Sequence, residues 1–152
     1  MTEARAKFSQ LNIVSRDPAA SMEFYRRLGV EIPEERVWRT QSGVHHVSAR
    51  DAGKAGGIDF DLDSEAFVGL WNAGWRGRAD LAGRVVVGFS VPSRAAVDDL
   101  FAEMTSAGHG VLQTPYDAFW GARYAVVEDP DGIAVGLMSP ISADRQSSPP
   151  EV

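Results

Sequence analysis

Gln10-Leu11-Asn12-Ile13-Val14-Ser15 reappears, in position and hydropathy pattern, as Val86-Val87-Gly88-Phe89-Ser90-Val91. Outward from this pair the agreement continues: Ala19-Ala20 falls on Ala95-Ala96, and Glu23-Phe24-Tyr25 falls on Asp99-Leu100-Phe101. Gly57-Ile58-Asp59-Phe60-Asp61-Leu62-Asp63-Ser64 then falls on Gly132-Ile133-Ala134-Val135-Gly136-Leu137-Met138-Ser139, again at a shift of about 75 residues. A doubled unit of this length is too long for a solenoid repeat. It points to two fused copies of one small module, and the space between them is a natural ligand site.

Each copy carries the same order of elements. Residues 8–15 alternate as a strand, with Leu11 and Ile13 on one face and Gln10, Asn12 and Val14 on the other. Asp17 or Ser15 can cap a following helix with Pro18 in its first turn; Met22, Phe24, Tyr25 and Leu28 form its apolar stripe and Gly29 ends it. In the second copy Ser93 caps a helix bearing Val97, Leu100, Phe101 and Met104, and Gly108 ends it. Further strands are predicted at 30–32, 44–49 and 58–62 in the first copy, and at 110–113, 123–127 and 133–138 in the second. The fold class is therefore α+β: two tandem βαβββ modules forming one domain. Module one spans 7–64, a connector 65–83, module two 84–139, and the polar, Pro/Ser-rich residues 140–152 read as a flexible tail.

Composition narrows the function classes. At 152 residues, 44% hydrophobic and 24% charged, the chain can bury one core that both modules must share. The absence of cysteine excludes disulfides, thiolate metal sites and cysteine nucleophiles. A net charge of -6 without a basic cluster argues against nucleic acid or an anionic membrane as partner. No apolar run is long enough to span a bilayer, and the opening Met-Thr-Glu-Ala-Arg-Ala-Lys lacks the apolar stretch of a secretion signal, so a cytoplasmic location is expected.

Asn12-Ile13-Val14-Ser15-Arg16-Asp17, Phe24-Tyr25-Arg26-Arg27-Leu28-Gly29, Trp120-Gly121-Ala122-Arg123-Tyr124 and Glu128-Asp129-Pro130-Asp131-Gly132 together resemble the vicinal oxygen chelate superfamily. That group includes glyoxalase I, extradiol dioxygenases, fosfomycin-resistance enzymes and bleomycin-resistance proteins. The resemblance covers roughly residues 7–139 and implies paired βαβββ modules curled around a pocket, usually in a homodimer. In metal-using members it implies four ligands, which by position fall on Gln10, Asp61, Val86 and Gly136. Valine and glycine offer no side-chain donor, where the family's usual ligands are His and Glu. The departure puts the family's Lewis-acid chemistry in doubt unless His45 or His46 supplies a donor.

Strand parity places Gln10, Asn12, Asp61, Val86, Gly88, Ala134 and Gly136 on the pocket side, with Asp59 and Asp63 either there or at solvated strand ends. Asp61, within a mostly apolar cup, is a candidate proton donor or acceptor. One of the adjacent His45 and His46 must face inward, as an acid or base or as a hydrogen-bonding group. Trp71, Trp75 and Trp120 either stack on a flat ligand or plug the sheet ends; Trp120 is assigned to the pocket, and Trp71 or Trp75 to a lid or interface. Arg123 either holds a ligand carboxylate or pairs with Asp117 or Glu128. The leading expectation is a metal-free, cofactor-free homodimer that binds and sequesters a small aromatic or amphipathic molecule. The alternatives are a lyase or isomerase with an atypical or metal-free site, and an interaction domain whose cup is filled by its own side chains.

Overall fold

The computed structural model of the chain describes residues 10–50, 57–72, 85–148 and 150. The chain divides into two compact units, residues 1–78 and 79–152, and the two have the same topology.

In unit one, β1 (Gln10–Ser15) leads into α1 (Pro18–Arg27), followed by β2 (Val37–Thr40), β3 (Gly43–Ser48), β4 (Asp59–Ser64) and α2 (Glu65–Trp71). The sheet order is β1-β4-β3-β2, with β1 parallel to β4 and the remaining pairs antiparallel. In unit two, β5 (Val86–Ser90), α3 (Arg94–Ser106), β6 (Gly110–Asp117), β7 (Arg123–Glu128) and β8 (Ala134–Met138) give the order β5-β8-β7-β6. The repeat is therefore one of register as well as sequence: Gln10 pairs with Asp59 as Val86 pairs with Ala134.

The helices start and stop where their caps dictate. The Asp17 carboxylate accepts from Ala20 N at 3.1 Å with Pro18 next in line, and the Ser93 hydroxyl accepts from Ala96 N at 3.1 Å. Gly29 and Gly108 follow the helix ends at φ +93° and +94°, a region that costs a side-chain-bearing residue but not glycine. Ile13, Met22, Phe24, Tyr25, Val47, Leu62 and Val68 are buried in unit one, and the Tyr25 ring stands 4.8 Å edge-on from Phe60. Val87, Val97, Met104, Ala125, Val127, Val135 and Leu137 are their counterparts in unit two. Alternate strand residues thus bury one face under a helix and leave the other for different work.

Three sequence expectations are corrected. The strand expected at 30–32 is instead β2, at Val37–Thr40. Pro33 has no N–H to give a ladder and introduces a 3-10 turn over Glu34–Arg36, while the Ile32 carbonyl accepts from the Arg26 guanidinium rather than from a strand. The connector opens as a helix, α2, because the Ser64 hydroxyl accepts from Phe67 N at 3.0 Å. β6 extends well past 113, to Asp117. It tolerates Pro115 because it is an edge strand with register shifts between Val111 and Tyr116. Residues 140–147 return across the turn at Trp120: Ser142 N donates to Gly121 O at 2.9 Å and Ser147 N to Phe119 O at 2.8 Å. Among the described residues no helix is long and apolar enough to cross a membrane.

Candidate functional site

The face of the unit-one sheet turned away from α1 carries a continuous polar network. It arises from register: in the β3–β4 ladder His46 lies opposite Asp63 and Ser48 opposite Asp61, so all four side chains emerge on one face. Gln10 and Asn12, two residues apart on β1, join from the other side of β4. Gln10 Nε2 donates to Asp61 Oδ2 at 2.5 Å, and Ser48 Oγ donates to Asp61 Oδ1 at 2.7 Å. Asn12 Nδ2 donates to Asp63 Oδ2 at 2.8 Å, and His46 Nδ1 donates to Asp63 Oδ1 at 2.5 Å. His46 Nε2 lies 3.1 Å from Ser48 Oγ, which closes the chain from Gln10 to Asn12. Asp61 and Asp63 are only 7% and 2% exposed, so these bonds replace the water that two buried carboxylates would otherwise need.

An open cleft of about 370 Å³ lies beside this network, lined by Glu35, Arg36, Val37, Trp38, His46 and Ser48. Its volume is that of a small-molecule site. Trp38 is 47% exposed, and its ring lies 5.2 Å from Phe67 and 5.2 Å from His45, while Phe67 also lies 5.8 Å from His46. A polar floor and an aromatic wall therefore meet at His46.

The two histidines separate as adjacent strand residues must. His46 belongs to the network; His45 is a tie between elements, with Nδ1 2.8 Å from Ser64 Oγ and Nε2 2.7 Å from Ser42 Oγ and 2.9 Å from Thr40 Oγ1. Asp61 is not in a mostly apolar cup, since both its oxygens accept hydrogen bonds. Asp63 is fully inside rather than at a solvated strand end, while Asp59 is exposed. Sequence reasoning singled out Gln10, Asn12, His46 and Asp61, left Asp63 between the pocket and a solvated strand end, and missed Ser48. The signal was available: Ser48 follows His46 by two and Asp63 follows Asp61 by two, the strand period.

In unit two the corresponding face is aromatic. Trp120 packs edge-on against Phe119 at 5.1 Å, Tyr124 at 5.4 Å and Tyr116 at 6.3 Å, and its buried Nε1 has no partner. Withdrawal from water, and secondarily the nearby Tyr116, holds the Tyr124 phenol above its usual pKa. Arg123, its strand neighbour, points the other way. Its guanidinium bonds Asp98 of α3 at 2.9 Å and Asp117 at 3.2 Å, and the Asp98 bond first, then Asp117, raises its pKa further. Asp98 was not among the partners expected for it. Trp71 closes α2 and is 52% exposed; Trp75 lies outside the described residues.

The four positions that the family resemblance assigns to metal ligands do not fit a divalent ion. Val86 and Gly136 have no side-chain donor atom, which leaves only Gln10 and Asp61, and both Asp61 oxygens already accept hydrogen bonds. The space above Gly136 is itself filled, since a Cβ placed there would meet Tyr124 Oη at 2.5 Å and two ring carbons at 3.1 Å. Among the described residues no group of three or more His, Cys, Asp or Glu side chains could hold a metal.

The chain was compared with known proteins. A family model described as Glyoxalase/Bleomycin resistance protein/Dioxygenase superfamily matches residues 7–137. Similar crystal structures include a glyoxalase/bleomycin resistance protein/dioxygenase family enzyme from Burkholderia phytofirmans PsJN, with 20% identity over 88% of this chain and 98% of that one (TM-score 0.67). A glyoxalase/bleomycin resistance protein/dioxygenase from Nocardioides shares 18% identity over 99% of this chain and 92% of its own (TM-score 0.68). A glyoxalase-related enzyme from Fulvimarina pelagi shares 19% over 90% and 92% (TM-score 0.68). At these identities the likeness is one of fold. A search of curated proteins found no match.

Proposed function

This chain belongs to the glyoxalase/bleomycin resistance protein/dioxygenase superfamily, and from that premise we propose that it is a metal-free binding protein for a small aromatic or amphipathic molecule. The observation that carries the reading is the polar network beside an open cleft. His46 and Ser48 present hydrogen-bonding groups to a space whose wall is the Trp38 ring. Such a site orients a flat ligand by stacking and fixes it by one or two polar contacts. The metal-free part is supported by the side chains at the four ligand positions, two of which, Val86 and Gly136, have no donor atom. By the same reading the protein acts as a cytoplasmic homodimer, as many of its superfamily do.

The test is a thermal-shift screen of the whole chain against divalent metals and a panel of hydrophobic antibiotics and aromatic metabolites. A ligand at a hundred times its Kd adds about 2.7 kcal/mol, which moves the midpoint by several degrees. Stabilisation by aromatic compounds, lost in Trp38→Ala, and by no metal is the expected result. Stabilisation by a metal that disappears in Asp61→Ala overturns the metal-free reading.

A further inference from the structure

Two of the side chains that line the cleft, Ser48 and His46, stand in a relation that binding alone does not require. We propose that Asp63, His46 and Ser48 form a nucleophile relay, which gives the cleft an acyl-transfer activity toward small aryl esters. The proposal rests on the cleft as the ligand site and adds chemistry to it.

The geometry supplies three roles in order. The Asp63 carboxylate can only accept, so the proton between it and His46, 2.5 Å apart, sits on Nδ1. In the neutral ring Nε2 is then the bare acceptor, and it faces Ser48 Oγ at 3.1 Å. Nucleophile, base and orienting carboxylate are thus each within hydrogen-bond reach of the next. Asn12 holds the second oxygen of Asp63 at 2.8 Å, which fixes the carboxylate against rotation. The sheet does the positioning, because His46 and Ser48 are alternate residues of β3 and Asp63 lies opposite His46 in the ladder. At rest the Ser48 hydroxyl donates to Asp61 Oδ1 at 2.7 Å. A rotation of that hydroxyl about its own C–O bond turns the same proton toward Nε2.

The aryl preference follows from Trp38, which lines the cleft, and from Phe67 against it. Arg36 also lines the cleft and adds a positive charge to its wall. In the reaction Ser48 Oγ bonds to the ester carbonyl carbon while its proton passes to His46 Nε2. The bond from that carbon to the phenolic oxygen breaks, and the proton leaves with the phenol. Water, giving a proton to the same nitrogen, then cleaves the acyl-serine to the carboxylic acid and returns the hydroxyl to Ser48. One ester and one water become one acid and one phenol.

The test treats the whole chain with p-nitrophenyl acetate and, separately, with a fluorophosphonate probe, followed by peptide mass mapping. A burst of nitrophenolate equal to the chain concentration and a phosphonyl adduct on Ser48 are expected. Ser48→Ala should lose both. Asp63→Asn should slow acylation by about 10³-fold or more, and Asp63→Glu should recover part of the rate. Mapping of the unsubstituted chain decides without any variant. If Ser48 carries no adduct while aromatic compounds still stabilise the protein, the relay is wrong and the binding reading stands; if neither adduct nor stabilisation is seen, both fall.

Discussion

Gly136→Ala should destabilise the protein through one identifiable clash. The new Cβ would stand 2.5 Å from Tyr124 Oη and 3.1 Å from Tyr124 Cε2 and Cζ, closer than unstrained carbon contacts allow. The ring cannot simply swing away, because Trp120 flanks it at 5.4 Å and Tyr116 at 6.2 Å. Overpacking of this kind costs about 1–3 kcal/mol. For a chain of this size that is a fall in Tm of roughly 2–12 °C, with a lower denaturation midpoint at unchanged m-value. The assay is a double-mutant cycle in urea. Tyr124→Phe removes only the atom at 2.5 Å and leaves the carbons at 3.1 Å, so it should rescue part of the loss, with a coupling of about 1 kcal/mol. Gly136→Glu, which would place a carboxylate at that position, should cost at least as much as Gly136→Ala. If the two substitutions add without coupling, Tyr124 does not occupy the space above Gly136 and the argument against a metal ligand there loses its steric half.

Two further outcomes are expected. Gly121 has φ +93° and its absent Cβ points at the Ser142 carbonyl, so Gly121→Ala should cost about 1–3 kcal/mol. It should also speed limited proteolysis within residues 140–147 by breaking the Ser142 N to Gly121 O bond. The Tyr124 phenol is held above its usual pKa by burial and then by Tyr116, so the neutral form is the one the fold favours. Its stabilising share is complete below the free phenol's value, near 10, and is lost as pH rises through the folded value; Tyr124→Phe should flatten the alkaline fall in stability measured by denaturant titration.

The helices and the buried faces of both sheets were legible because burial and periodicity speak together there. Leu11, Ile13, Phe60 and Leu62 alternate on two strands that must share one core, and Asp17 and Ser93 are caps by chemistry as well as position. β2 was not legible. Val30-Glu31-Ile32 has the alternation of a strand, but Pro33 and the Arg26 guanidinium claim that stretch after α1, and a pattern search weighs neither. The site was half legible. Gln10, Asn12, His46 and Asp61 are polar residues on a face that parity identifies, yet Ser48 and Asp63 acquire meaning only when β3 is set antiparallel to β4 in one register. A slip of one residue would carry Val47 out of the core and His46 into it, so the burial of Val47 holds the register that sets His46 opposite Asp63.

The division of labour between the two copies follows from the same register. Duplication fixes the backbone, so residues at matching positions leave the sheet in matching directions: Gln10 and Val86, Asn12 and Gly88, Asp61 and Gly136, Asp63 and Met138. In unit one these positions, with their β3 partners, hold amides, carboxylates, an imidazole and a hydroxyl, which satisfy one another and keep two charges under cover. In unit two they hold valine, glycine and methionine, and the room left by Gly136 is taken by the Tyr124 ring. In unit one Asp61 finds its partners locally, in Gln10 and Ser48. That local satisfaction leaves Ser48 between two acceptors, Asp61 and His46, and makes it the hydroxyl in the site with an acceptor on each side.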